Sequence, residues 1–417
     1  MLTLGPNTNT PVRKRFYVGF AVTIAIWSAI VLWFAIDIVQ LDVYWMSYYT
    51  ATYAHGFVRR GLAGELVGLF PGHYFAVSLS LRWLSTAVYL CGLATVAAVL
   101  LSGRPRSERS LMVAMLIPLL PFGVPFAAYS ARPDLFGGAA LALFAPAVMF
   151  ARSRAVAITC CAAYGAATAT LTLVHEAVGL LFAFGAVLAV VVLGDALGGR
   201  QRLGAFLAVA PGAVTAAAVA AFGRHGIASQ LCSEVPHHPM PNVFGTVTSP
   251  PALLRYVFDG RPPPQSDYHD WVCRNVMPIY DDGILDAIRS VGHIGVAGLT
   301  ASLAFGAAGI VATMWGVSEV SGVPLRTFVD AVRGRMTWAL AALLLFVPIF
   351  LTGYDWTRWL TTVAFDMGVV FILFAARRPE IEQEPTPKSL RVFAFLVIAL
   401  GLVVIGSVPG FGVPRMV

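Results

Sequence analysis

The chain has 417 residues, of which 58% are hydrophobic and only 12% are charged. A soluble domain carries about a quarter charged residues, so this chain cannot cover its surface with polar groups, and lipid must be its solvent. The formal net charge of +7 is explained by basic residues that anchor cytoplasmic loops, and we expect no nucleic-acid partner.

The apolar stretches are long and continuous, which favours membrane helices over the short alternating strands of a β-barrel. We therefore predict an all-α polytopic integral membrane protein, with residues 1–417 forming a single transmembrane domain. A helix needs about 20 residues to cross the hydrocarbon core. We predict eleven such helices, near 17–39, 83–102, 111–130, 135–151, 155–174, 177–194, 204–222, 292–317, 337–353, 359–376 and 392–410.

The distribution of basic residues predicts the orientation. With the N-terminus in the cytoplasm, 17 of the 28 Lys and Arg residues lie on the inner side, and five of the other 11 lie in one long loop. Long loops count little in the positive-inside rule. Arg outnumbers Lys 26 to 2, a composition typical of GC-rich bacterial genomes. We expect a multi-pass protein of the bacterial plasma membrane, with a retained first helix and its site facing outside.

Two extracytoplasmic segments are too polar to cross a membrane. The first is residues 40–82, in which we expect an interfacial helix at Ala63–Phe70. The second, residues 223–290, is rich in Pro, His and Asp and is long for a loop without a function. It holds Cys232 and Cys273, the two of the five cysteines that fall outside the predicted helices. An oxidising compartment permits their pairing, which we predict, with two free thiols as the alternative.

Five polar clusters fall at helix ends that this topology places outside. Charged groups near a membrane are costly, so they pair, face a cavity or act chemically. The clusters are Asp37 and Asp42, followed by Tyr44, Trp45, Tyr48 and Tyr49; His55, Arg59 and Arg60; Arg132 and Asp134; His175 and Glu176; and Asp355 and Arg358, between Tyr354 and Trp359.

Each cluster also has a purely structural interpretation. Asp42 suits a helix cap or a solvated loop, and the two neighbouring arginines suit lipid headgroups. Arg132 and Asp134 are close enough to pair with each other, and Asp355 and Arg358 share a helical face. Histidines 237, 238 and 269 lack the spacing of a ligand signature, so we predict no metal site.

The motifs of several enzyme classes are missing from the sequence. There is no phosphate-binding loop of the Walker type, no Gly-x-Gly-x-x-Gly after a strand and no Gly-x-Ser-x-Gly elbow. Cytoplasmic ATP or nucleotide-sugar chemistry is therefore not expected. The residues that are present suit phosphate, which arginine binds with charge-assisted bonds, and sugar hydroxyls, which a carboxylate can deprotonate.

The acidic residue shortly after the first membrane helix resembles the layout of the GT-C membrane glycosyltransferases. The sequence Asp42-Val-Tyr44 is similar to the start of the pattern in polyprenyl-phosphate mannosyl- and arabinosyltransferases. The motifs at His55–Gly61 and Asp355–Trp359 also resemble membrane proteins of bacterial surface-polysaccharide loci. The resemblance implies a GT-C-like fold, a polyprenyl-phosphate-linked sugar as donor and a cell-envelope glycan or glycolipid as acceptor. It makes Asp42, or else Asp37, the base, although this chain lacks the family's tandem acidic pair.

We therefore expect Asp42 to deprotonate the acceptor, with His175 and Glu176 orienting the substrates and His175 as an alternative base. Arginines 59, 60 and 358 would hold the phosphate. Substrate binding would also involve Asp37, His55, Arg132, Asp134 and Asp355, with membrane lipids around them. No cofactor is certain, and a divalent cation is left open. The alternatives are a surface-polysaccharide polymerase using polyprenyl diphosphate donors, a transporter or flippase for lipid-linked glycans, and a non-catalytic scaffold.

Overall fold

The structure is a computed structural model that describes residues 11–102, 107–244, 250–260, 262–404 and 411. The predicted anchors Arg104, Arg106 and Arg261 lie outside the described residues, as do the side chains of Arg13 and Lys14 and the end of the last predicted helix at 405–410.

Most of the described chain is helical. The first half contains α1 (Pro11–Trp33), α2 (Asp42–Met46), α3 (Gly61–Gly68), α4 (Tyr74–Ser102), α5 (Glu108–Leu116), α6 (Val124–Tyr129), α7 (Asp134–Met149), α8 (Arg154–Val174), α9 (Val178–Leu181) and α10 (Ala183–Leu193). The second half contains α11 (Gln201–Phe222), α12 (Ala228–Cys232), α13 (Pro250–Asp259), α14 (Tyr268–Asn275), α15 (Ile284–Ser321), α16 (Leu325–Arg333), α17 (Met336–Leu344), α18 (Phe346–Thr352), α19 (Trp356–Ala375) and α20 (Pro387–Leu402). Strands β1 (Pro239–Pro241) and β2 (Gln265–Asp267) form an antiparallel ribbon.

Six of the described helices are long and apolar enough to cross a membrane. They are Arg15–Ile38, Tyr74–Ser102, Arg154–Val174, Asp195–Phe222, Ile284–Ser321 and Trp356–Ala375. A seventh span is formed if Leu325–Arg333 and Met336–Thr352, which are bent by 95°, count together. The prediction of a polytopic helical membrane protein is confirmed, whereas the total of eleven helices stays a prediction.

The structure differs from the predicted elements at two places. The stretch 111–130 is not one helix, because α5 ends at Leu116 and α6 begins only at Val124. Pro118, Pro121 and Gly123 lie between them, and proline removes the donor that a continuing helix needs. In addition, α4 begins at Tyr74, so the last residues of the expected first loop, including Arg82, are helical.

Helix α19 is the centre of the bundle. Almost every residue from Thr357 to Ala375 is buried, and α19 packs against α15, α10, α7 and α4. Residues 369–373 of α19 are all apolar, as expected of a helix that is surrounded by other helices. Helix α1, in contrast, exposes most of its large side chains, such as Val18, Val22 and Ile26, as expected of a helix that faces lipid.

Helices α8 and α11 pack closely along each other at small residues. A Cβ atom added at Gly165 would overlap the carbonyl oxygen of Leu207 and would lie 3.0 Å from the Pro211 ring. Small residues allow such close backbone approach between membrane helices, where dispersion contacts replace the hydrophobic effect.

We predict that Gly165→Ala lowers the free energy of unfolding in detergent by about 1–3 kcal/mol, because the helices must move apart. Gly292→Ala is the matched control, since Gly292 is also helical and a Cβ there meets nothing within 4 Å. The control should be neutral or slightly stabilising, because alanine favours helix. Equal losses in the two variants would contradict this account of the packing.

Candidate functional site

The segment that follows α1 carries two tyrosines at the centre of the site. Helix α2 continues into a 3-10 turn at Ser47–Tyr49, and Trp45, Tyr48 and Tyr49 are buried. Because Tyr44 and Tyr48 are four residues apart on a helical path, their hydroxyls meet at 2.9 Å. Arg60, Arg132 and His175, from three other parts of the chain, lie against these rings.

Two arginines and two aspartates form a buried network beside these rings. Arg132 donates to the Oδ2 atom of Asp355 at 2.6 Å and to the Tyr44 hydroxyl at 3.0 Å. The Nε atom of Arg358 donates to the same Asp355 oxygen at 2.8 Å. Arg358 also pairs with Asp134, which is almost fully buried. The start of α7 and the start of α19 are thereby joined.

This network pairs partners other than those nearest in sequence. Arg132 and Asp134 were expected to be able to neutralise each other, but Arg132 bonds Asp355 and Asp134 bonds Arg358. The expected pairing of Asp355 with Arg358 is present as well. The crossed pairing arises because α7 and α19 pack together, which brings both aspartates between the two guanidinium groups.

A second ion pair, between Arg60 and Glu176, also lies near the Tyr48 ring. Arg60 donates two hydrogen bonds to the Glu176 carboxylate, at 2.7 and 2.8 Å. The Arg60 guanidinium lies 4.7 Å from the Tyr48 ring centre, and that of Arg132 lies 5.9 Å from it. Burial disfavours the charged carboxylate, but Arg60 and His175 outweigh it and hold the pKa of Glu176 well below its ordinary value.

The Arg60 backbone is strained. Its φ of 62° makes it the one non-glycine residue with a positive φ among the described residues, and such a conformation costs about 1 kcal/mol or more. Arg60 sits at the N-cap of α3, and α3 is held against the preceding loop by a hydrogen bond from Gly64 to Ala51. The bidentate Glu176 pair compensates for the strain and fixes the direction of the side chain.

His175 stacks on the Tyr48 ring at 5.6 Å between centroids. Only 4% of its surface is exposed, and its buried Nδ1 atom has no partner in the described structure. Burial, followed by the charges of Arg60 and Arg358, lowers the pKa of His175 to about 4 against the opposing effect of Glu176. The imidazole is therefore neutral at physiological pH and is able to accept a proton or a hydrogen bond.

Asp42 lies at the edge of a cavity of about 290 Å³. Its Oδ1 atom faces the Nε atom of Arg82 at 3.4 Å, a residue of α4 that the sequence analysis did not assign to the site. The Met46, Phe75 and Leu79 side chains line the cavity with Asp42, and strand β1 closes it. Burial raises the pKa of the Asp42 carboxyl, and the charge of Arg82 only partly offsets this effect.

Arg59 is the least neutralised guanidinium of the site. Its guanidinium lies 5.3 Å from the centre of the Tyr280 ring, and its buried Nη2 atom has no hydrogen-bond partner among the described residues. Further buried polar atoms of the site lack a hydrogen-bond partner among the described residues, which is rare for purely structural groups. They belong to Asp42, Trp45, Tyr49, Arg82, Arg132, Asp134, His175, Asp355, Thr357 and Trp359.

The long connecting segment, described at residues 223–244, 250–260 and 262–283, covers this site. Trp271 of α14 stacks on Phe244, and both rings contact Tyr44. The hydroxyls of Tyr268 and Tyr74 meet at 2.7 Å. Cys232 and Cys273 are bonded as a disulfide with their Cα atoms 5.4 Å apart, which joins α12 to α14 across the segment.

Two candidate residues do not join the network. His55 lies in an exposed turn, and its Nε2 atom pairs with Glu234 of the long connecting segment at 2.8 Å, so its contact ties two loops together. Asp37 is exposed at the end of α1, and its described contact is the backbone carbonyl, which accepts a hydrogen bond from Gln40. Neither residue contacts the buried arginines.

Two residues of the site, Arg82 and Tyr280, were not predicted from the sequence, and neither was Glu234, the partner of His55. Arg82 had a signal, because it is a lone charge in an otherwise apolar stretch, where a charge demands a partner. Glu234 and Tyr280 lie in a loop without periodicity, so nothing in the sequence places them against the site.

We predict that Asp355→Asn lowers the free energy of unfolding by about 3–5 kcal/mol, because it leaves two buried guanidinium groups short of a carboxylate. Asp286→Asn is the matched control, since Asp286 pairs with Arg289 at the same spacing but on an exposed surface. An exposed pair contributes at most about 1 kcal/mol. Denaturation in detergent measures both, and a small loss in Asp355→Asn would contradict a stabilising role for the network.

We predict that His175 makes stability depend on pH. Its pKa is about 4 in the folded protein, against an ordinary value of 6.5, so the stabilising contribution of the neutral imidazole is complete above pH 6.5 and is lost as the pH falls towards 4. The full difference corresponds to about 3 kcal/mol. His175→Phe keeps the stacking but cannot take a proton, so its melting temperature should fall less between about pH 7 and pH 5. An equally steep fall of the melting temperature in the wild-type protein and in His175→Phe would contradict the assignment of this pH dependence to His175.

The fold and the site together define a polytopic helical membrane protein with a buried arginine–carboxylate site under a disulfide-linked segment. Residues 17–401 match the family model of the uncharacterised membrane protein Rv1490, and the chain belongs to that family. It is 38% identical over 402 residues to Rv1490 of Mycobacterium tuberculosis H37Rv and to the protein Mb1527 of Mycobacterium bovis. The match covers 96% of this chain and 92% of each relative. No solved structure matches the chain.

Proposed function

We propose that this protein is a membrane glycosyltransferase of the GT-C type that moves a sugar from a polyprenyl-phosphate donor to a cell-envelope glycan or glycolipid. The observation that carries the proposal is the convergence of arginines, carboxylates and a neutral histidine around Tyr44 and Tyr48, with Asp42, two residues before Tyr44, lining a cavity. A perturbed ionisable group that lines a cavity, as Asp42 does, is a candidate for a functional site.

The donor phosphate would bind at Arg59. Its unpartnered Nη2 atom is available for a charge-assisted bond to a phosphate oxygen. Arg60, already paired with Glu176, would add positive charge beside it and stay fixed in direction. The network of Arg132, Asp355, Arg358 and Asp134 has equal numbers of positive and negative groups, so its role would be to position the neighbouring rings rather than to bind phosphate.

A groove along α4 suits the lipid part of such a donor. It has a volume of about 560 Å³ and is lined mainly by apolar side chains, among them Phe70, Val77, Leu81 and Leu84. Ala76 lines both this groove and the Asp42 cavity. A prenyl chain in the groove would therefore reach the Asp42 cavity from the side, as expected for a substrate that enters from a membrane leaflet. The proposal requires the phosphate end to extend from this cavity to Arg59, which lies against the Tyr280 ring.

Asp42 would act as the general base. Its oxygen would take the proton of the acceptor hydroxyl while the acceptor oxygen bonds to the anomeric carbon. The bond from that carbon to the phosphate oxygen would break, and the polyprenyl phosphate would leave with the electron pair, stabilised by Arg59. A raised pKa suits this role, because a carboxylate with a higher pKa binds a proton more strongly.

We place the site on the extracytoplasmic side, with the N-terminus in the cytoplasm and up to eleven crossings. The excess of Lys and Arg on the opposite loops supports this orientation. The disulfide between Cys232 and Cys273 supports it as well, because disulfides persist in oxidising compartments.

A transport function has less support from the described residues. A polar line follows α19 inward through Arg358, Thr362 and Asp366, at helical spacing. It ends there, since residues 369–373 are all apolar and fully buried. A transporter needs polar groups that continue through the membrane depth.

We predict that Asp42→Asn lowers kcat for sugar transfer from a polyprenyl-phosphate sugar by at least about 100-fold, with little change in KM, because it removes the base. Asp37→Asn is the control, since Asp37 is a nearby acidic residue outside the buried network, and it should retain wild-type transfer. Melting temperatures would verify that both variants are folded.

Full transfer by folded Asp42→Asn would remove Asp42 from the base role, and a parallel loss in His175→Phe would move that role to His175. Transfer only from polyprenyl diphosphate donors would favour the polymerase. Wild-type protein that transfers sugar from neither donor would contradict the proposed function.

A further inference from the structure

Four potential metal ligands meet at the outer edge of the long connecting segment, away from the buried arginines. Their donor atoms, from His237, Asp267, His269 and Asp270, all lie within 4.8 Å of one another. The two imidazole rings are stacked at 4.0 Å. The His237 Nδ1 atom lies 3.3 Å from an Asp267 oxygen, and that of His269 lies 3.0 Å from an Asp270 oxygen.

The backbone holds these four residues in place. The β1–β2 ribbon pairs Pro239 with Asp267, and the same antiparallel register continued by two residues sets His237 opposite His269. Asp267 caps α14, since its carboxylate accepts from the Asp270 backbone N–H at 3.4 Å. The disulfide from Cys273, one helical turn after His269, fixes α14 to α12. The cluster is therefore built on ordered backbone rather than on a free loop.

The donor set selects a class of ion. Two imidazole nitrogens with two carboxylate oxygens suit Zn²⁺, which binds both ligand types at about 2.0–2.2 Å in tetrahedral geometry. Calcium and magnesium prefer sites made of oxygen alone. Such a tetrahedron needs ligand atoms about 3.4 Å apart. Rotations of these side chains can provide this spacing, since His237 and Asp270 are exposed and Asp267 and His269 are half-buried. The two nearby sulfurs are bonded to each other, so they do not compete as thiolates.

We propose that His237, Asp267, His269 and Asp270 form a Zn²⁺ site. The ion would link His237, two residues before β1, to the first turn of α14. Trp271 follows Asp270 directly and packs with Phe244 against Tyr44. A bound ion would therefore fix the part of the long connecting segment that covers the aromatic centre of the candidate site. The proposal does not depend on the reaction that this site performs.

The test uses the full chain in detergent micelles, with the disulfide intact and without a polyhistidine tag. Zn²⁺ alone is titrated by calorimetry, and Co²⁺ is titrated by visible absorption. Wild-type protein should bind one equivalent of Zn²⁺, and the Co²⁺ form should show the intense d–d bands of tetrahedral coordination. Zn²⁺ should also raise the melting temperature.

His237→Ala and His269→Ala should each weaken binding at least about tenfold, because losing a direct ligand costs no less than losing a supporting one. His225→Ala is the matched control, an exposed histidine of the same segment outside the cluster, and it should bind like wild type. The proposal is overturned if wild-type protein binds no stoichiometric Zn²⁺. It is equally overturned if the double variant His237→Ala/His269→Ala binds Zn²⁺ and gives the same Co²⁺ spectrum as wild type.

Discussion

One oxygen atom of Asp355 accepts hydrogen bonds from both Arg132 and Arg358, and the arrangement of the site depends on it. A guanidinium without a counter-charge is costly to bury, so α7 and α19 must meet where Asp134 and Asp355 lie between the two arginines. That requirement fixes the ends of two central helices relative to each other. It also fixes the chain after α1, because Arg132 donates to the Tyr44 hydroxyl.

The tyrosines connect this network to the second ion pair. Tyr48 has Arg132 and Arg60 near its ring and His175 stacked upon it. Aromatic rings attract cations through their quadrupole. The Tyr48 ring therefore stabilises the positive charges of Arg60 and Arg132 beside it. The neutral state of His175 and the ionised state of Glu176 follow from the same environment. The two halves of the site are therefore coupled, although no carboxylate is shared between them in the described structure.

The long connecting segment determines how far this charged centre is closed from its surroundings. Its disulfide joins α12 and α14, its β-ribbon borders the Asp42 cavity, and Trp271 lies against Tyr44. A Zn²⁺ ion in the proposed four-ligand cluster would attach the start of the same helix at a second point. Closure would matter for the proposed transfer chemistry, because electrostatic interactions are stronger where water is excluded.

The sequence by itself determined the membrane class, since helix-length apolar stretches need lipid as solvent, and it located the ionisable residues at helix ends. It also singled out Cys232 and Cys273. It did not determine the break between α5 and α6, the partners of the charges, or the meeting of His237 with His269. Arg132 and Asp355 are 223 residues apart, and only helix packing brings them together. Composition and spacing show that a charged residue in an apolar segment needs a partner, whereas the tertiary structure decides which distant residue is that partner.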